Sequence, residues 1–147
     1  MTEGLFGLLG VALGLGYSEW KAWRERKLIH GTYWKAIDAE VEYVKDRITV
    51  FLKDNVAAPS YRLPDLIFKA CFPLLLSGGA TTREDAVALL TFYSEVETFN
   101  RGMDRAADAP NSVELMQEYN RNRLKAEHLG PDGAAYKAAN LCVQSHL

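Results

Sequence analysis

Cysteine is scarce in this chain: Cys71 and Cys142 are the only two among 147 residues. Both lie in apolar stretches and read as buried, reduced thiols, and two cysteines give no framework for a disulfide-stapled scaffold. Histidine is almost as rare, with His30, His128 and His146. None belongs to H-E-x-x-H, E-x-x-H or a Cys/His cluster, which removes the zinc-hydrolase and di-iron signatures and leaves surface or helix-end residues. There is no Gly-x-Ser-x-Gly, no P-loop and no dinucleotide fingerprint. Gly14-Leu15-Gly16 lies inside an apolar segment and follows no strand. No long stretch alternates with period two and no Asn-Gly dipeptide occurs, so hairpins are not expected. Internal repeats and low-complexity segments are also missing. Nothing here predicts an enzyme, a cofactor or a metal site.

The body has no excess of positive charge. Residues 28–147 hold 13 Lys and Arg against 16 Asp and Glu, whereas residues 21–27 hold four cations against Glu25. A mildly acidic body is a poor binder of nucleic acid, because phosphate backbones need clustered cations. The small basic cluster suits anionic lipid instead.

What is present is a distinctive N-terminus. Gly4 to Trp20 reads GLFGLLGVALGLGYSEW. Gly4, Gly7, Gly10 and Gly14 recur at steps of three, three and four, which places them on one side of a helix. Gly10-Val11-Ala12-Leu13-Gly14 has the G-x-x-x-G form that lets helices approach closely in lipid. Trp20 and Trp23 follow, then Lys21, Arg24, Arg26 and Lys27. An apolar body, an aromatic belt and flanking cations is the order of parts in a membrane-inserted helix. Met1-Thr2-Glu3 lacks a basic n-region and Tyr17-Ser18-Glu19 is a poor cleavage site, so a cleaved signal is not expected. Seventeen residues give about 25 Å of helix, the short end of the spanning range.

The expectation is therefore an N-terminal hydrophobic, transmembrane helix at 1–27, followed by an antiparallel bundle of four or five helices at 28–147, all-α. The first bundle helix should start near Thr32 and run to Asn55, with Trp34, Ile37, Val41, Val44, Ile48 and Phe51 as its apolar stripe. His30-Gly31 leaves open whether it is continuous with the anchor. Leu66 to Leu76, too short to span, reads as a buried central helix kinked at Pro73, with an interface-lying segment as the alternative. Thr81 and Glu84 form a candidate capping box. The next helix, to about Ala107, carries Leu89, Phe92, Val96, Phe99 and Met103. Asn111 to Glu114 offers a second box. The helix after it runs to Leu129 with Val113, Met116, Tyr119 and Leu124 as its large apolar contacts, and Gly130-Pro131 ends it. A short last helix from Asp132 holds Tyr136, Leu141, Cys142 and Val143.

Three body features invite a chemical reading. Glu40, Glu95 and Glu97 could face one another in a bundle, but read as solvated helix faces. Tyr119 to Lys125 is the one basic and aromatic run, flanked by Glu118 and Glu127. Asn100 borders a dense aromatic face and should hydrogen-bond the connector at Ala57 to Arg62.

These parts predict a non-enzymatic, membrane-anchored accessory or scaffolding subunit. Its glycine stripe would pack on a protein partner or a second copy. Trp20, Trp23 and the cations would sit at the lipid interface of a single-pass helix, with the body on the cytoplasmic side. Two alternatives are a membrane-active or self-assembling effector of toxin, holin-like or phage-exclusion type, and a soluble bundle that docks a partner through its first helix.

Overall fold

The computed structural model describes residues 2–54 and 61–147, with side chains from residue 16 onward. The described residues are all-α and contain no strand. The helices are α1 Thr2–Asp54, α2 Leu66–Ser77, α3 Arg83–Ala107, α4 Ser112–Leu129 and α5 Ala134–Gln144.

α1 is one unbroken helix of 53 residues, about 80 Å long. The anticipated anchor and first bundle helix are thus a single element, and His30-Gly31 does not divide them. Local chemistry explains this: a single glycine costs a helix only about 1 kcal/mol, and the stripe beyond Gly31 is fully packed. Trp34, Ile37, Val41, Val44, Ile48 and Phe51 are all buried, as their three-and-four spacing requires. The transmembrane expectation fares differently. Among the described residues no helix is long and apolar enough to cross a membrane. The apolar run is diluted by glycines and ends in Tyr17, Ser18 and Glu19 before it reaches spanning length.

α2 runs back along α1, its first residues against Glu40 and its end against His30. It is half-exposed, not buried. Phe68, Phe72 and Leu75 face the core, whereas Leu66, Leu74 and Leu76 face outward, Leu66 with 76% of its surface free. Pro73 sits inside the helix without ending it. A twelve-residue helix at the surface can bury only one stripe, however apolar its composition. Its C-terminus closes in a Schellman turn: Gly79 at φ +65° bonds Leu76 and Ala80 bonds Leu75.

α3 begins with a capping box one residue later than the sequence suggested. Thr82 Oγ1 accepts from the Asp85 N–H at 3.1 Å, and Asp85 Oδ2 accepts from the Thr82 N–H at 3.0 Å. The Thr81 hydroxyl has no partner. Leu89, Phe92, Val96, Phe99 and Met103 are buried along one face of α3, as expected. At the start of α4, Asn111 Oδ1 accepts from the N–H groups of Val113 and Glu114.

The inward face of α4 is not the expected one. Val113, Met116 and Leu124 are exposed, and the buried residues are Asn122, Ala126 and Leu129. Gly102 is the cause. A side chain at Gly102 would collide with the Asn122 amide, so α3 and α4 meet at a glycine and an asparagine and need no large apolar residue there. α5 buries Ala135, Tyr136, Ala139, Cys142 and Val143, but Leu141 points outward. Tyr136 donates to Glu42 at 2.6 Å and Gln144 to Asp38 at 3.1 Å, which fastens α5 to α1.

Candidate docking helix and the cleft at its base

Residues 16–29 of α1 are exposed on every side of the helix. Trp20 and Trp23 keep 51% and 56% of their surface free, and Leu28 and Ile29 are exposed beside them. The cations of this stretch organise the rings: the Arg24 guanidinium lies 5.6 Å from the Trp20 ring centre and the Lys27 ammonium 5.3 Å from that of Trp23. Arg26 Nε donates to the Ala22 carbonyl at 3.3 Å. Among the described residues, Lys21, Arg24, Arg26 and Lys27 make no ion pair with a carboxylate, while seven of the 13 cations at 28–147 do: Lys45, Arg62, Lys69, Arg101, Arg105, Arg121 and Lys137. The contact predicted for Gly4, Gly7, Gly10 and Gly14 lies outside the residues whose side chains are described. Gly16, on the following turn, has open space where a side chain would stand.

A helix of this kind has little to hold it in water. Each glycine in a helix interior costs about 0.5–1 kcal/mol against alanine, and isolated helices are marginal without a packed face. Residues 16–29 therefore present rings and cations without the intramolecular packing that stabilises α1 from Trp34 to Phe51.

At its base lies a cleft of about 470 Å³ lined by Trp23, Arg26, Lys27, His30, Trp34 and His146, with Gly31, Gly78 and Ala80 as its small residues. The His30 ring rests against Gly78, where any side chain would strike its Nε2. His146 stacks flat on Trp34 at 4.1 Å, and its Nε2 lies 2.9 Å from Asp85 Oδ2. Burial alone would raise the Asp85 carboxyl, but the Thr82 N–H, the His146 ring and the Thr82 hydroxyl together hold it at about 2. This cluster ties the end of the chain to α1 and to the start of α3. Beside the cleft a recess of about 360 Å³ carries Arg24 and Lys35.

The carboxylate that sequence reasoning placed in solvent is the one most withdrawn from it. Glu40 is 3% exposed. Its Oε1 accepts from the Ile67 N–H at 2.9 Å, and its Oε2 accepts from the Phe68 N–H and the Tyr93 hydroxyl, both at 2.8 Å. Asp65, the N-cap of α2, makes no cap bond and turns instead to Lys69 at 2.6 Å. Glu40 thus caps α2 from a neighbouring helix. Burial and then the Glu40 charge push the Tyr93 phenol far above its ordinary range, so it stays a donor. With three donors on it, Glu40 is structural. Glu97 pairs with Arg101 at 2.5 Å.

The remaining candidates are dispersed. The Tyr119–Lys125 run is split by its own helix, with Arg121 on Glu118 and Asn122 in the core. Asn100 pairs with both backbone groups of Leu63, at 2.8 and 2.9 Å, just past the expected connector. Cys71 and Cys142 are unpaired, and burial, with the nearby Asp85, pushes the Cys142 thiol up to about 12. Among the described residues no three His, Cys, Asp or Glu side chains converge as metal ligands. The chain matches no protein-family model, and no curated protein or solved structure is significantly similar to it.

Proposed function

We propose that this protein is a non-catalytic helical accessory or scaffolding subunit that docks through the N-terminal half of α1. One observation carries the proposal: α1 continues unbroken beyond the bundle while residues 16–29 are exposed on all sides. A helix so rich in glycine, with exposed indoles and cations that make no ion pair among the described residues, gains most from a second surface. The glycine stripe Gly4, Gly7, Gly10 and Gly14 suits close approach to another helix. Trp20 and Trp23 with Lys21, Arg24, Arg26 and Lys27 suit a lipid headgroup layer at the edge of that contact. In its fullest form the proposal is a single-pass helix with the body on the cytoplasmic side, supported by the cations that follow the apolar run.

A second reading, docking on a protein partner with no bilayer crossing, is favoured by the absence, among the described residues, of a helix long and apolar enough to span. Both readings meet one test. Substituting Gly10→Leu with Gly14→Leu should abolish the co-purifying partner or the self-association of the full chain, while circular dichroism shows an unchanged unfolding midpoint for the body. Assembly that survives the double substitution would overturn the proposal.

A further inference from the structure

We propose that the cleft at the base of the exposed half of α1 binds a phosphate group, carried by a lipid headgroup or by a small soluble phosphomonoester. Four observations converge on it. Its volume of about 470 Å³ falls within the range of small-molecule sites, about 300–1,000 Å³. Its charged lining is cationic, with Arg26 and Lys27 and no aspartate or glutamate. Neither cation is neutralised by an ion pair among the described residues, and Arg26 commits only its Nε, to the Ala22 carbonyl. A guanidinium fork beside an ammonium is the donor set that phosphate oxygens take, bidentate at Arg and as a point charge at Lys.

The surroundings protect that charge. Asp85, which holds the His146 ring of the lining, is already occupied by the Thr82 N–H and that ring. The α2 C-terminus ends beside the cleft at Gly78, but its Schellman turn covers the carbonyls of Leu75 and Leu76. The flat Trp34–His146 stack and the Trp23 indole supply an apolar wall for the organic part of the ligand. Gly31 keeps the mouth open, since nothing lies within 4 Å of where its side chain would stand.

Tryptophan fluorescence of the full chain, titrated with glycerol 3-phosphate, reads the soluble source. Flotation on phosphatidylcholine vesicles with and without phosphatidic acid reads the lipid source. Two variants are compared with the wild type: Arg26→Gln with Lys27→Gln, which removes the donors, and Gly31→Leu, which fills the cleft and removes no charge. Binding to either probe should weaken about tenfold or more in both variants. Response to glycerol 3-phosphate alone assigns a soluble ligand, and response to phosphatidic acid alone assigns a headgroup. No response to either probe overturns the proposal. So does a response lost in the charge variant but intact in Gly31→Leu, because it would be a bulk-charge effect. The Gly10→Leu, Gly14→Leu chain should keep its phosphate response, which separates this inference from the docking proposal.

Discussion

α1 holds two halves of opposite character in one helix. From Trp34 to Phe51 it is the spine of the bundle, with six buried apolar side chains and a buried carboxylate that caps a neighbour. From residue 16 to 29 every residue is exposed, and the Trp20 and Trp23 rings are met by cations of the same stretch. Helical geometry is the same throughout, so backbone hydrogen bonding does not distinguish the halves. Packing does. The stretch from Trp34 to Phe51 is stabilised by the rest of the chain, and residues 16–29 are left exposed.

The contrast can be broken most forcefully at its packed end. Phe51→Ala should destabilise the protein by about 3–5 kcal/mol through lost transfer energy and a cavity beside Phe99 and Tyr119. Trp20→Ala should change the unfolding free energy by no more than about 0.5 kcal/mol, an exposed-surface effect. Glu40→Ala comes next, at about 3 kcal/mol, because it strands the N–H groups of Ile67 and Phe68 and the Tyr93 hydroxyl. Chemical denaturation measures all three.

Acid sharpens the comparison at the point where the halves join. The folded Asp85 carboxyl is held at about 2, below its ordinary 3.8. Its stabilisation is complete above the unfolded value and is lost as pH falls through the folded one, so stability should decline between about pH 4 and pH 2 by on the order of 2 kcal/mol. Asp85→Asn should remove that portion of the acid limb in a pH series of thermal melts.

Glycine gives the most discriminating effect. Gly31→Ala meets open space and should stabilise the helix by about 0.5–1 kcal/mol. Gly102→Ala drives a methyl into the Asn122 amide and should cost about 1–3 kcal/mol. Opposite signs for the same substitution in two helices would confirm that burial, and not helix propensity, sets the outcome.

Much of this was legible beforehand where apolar residues repeat strictly. The stripes of α1 and α3 follow their spacing residue by residue. Legibility failed where contacts are made by small or polar residues. Asn122 and Ala126 carry the inner face of α4 because Gly102 lets two helices close on them. Val113, Met116 and Leu124 looked like a core face and are not. Glu40 looked solvated because nothing in its own helix needs it. The signal lay 27 residues away, in an α2 whose first turn has no acidic residue and whose N-cap makes no cap bond. The cleft was hidden for the same reason, since it joins α1 to a turn and to a histidine near the far end of the chain.

Amide hydrogen exchange along α1 tests the two-half account most directly. In the full chain alone, amides at 34–51 should exchange only with global unfolding, while those at 16–29 exchange orders of magnitude faster by local fraying. Equal protection in both stretches would contradict it, because the exposed half would then be stabilised without any partner.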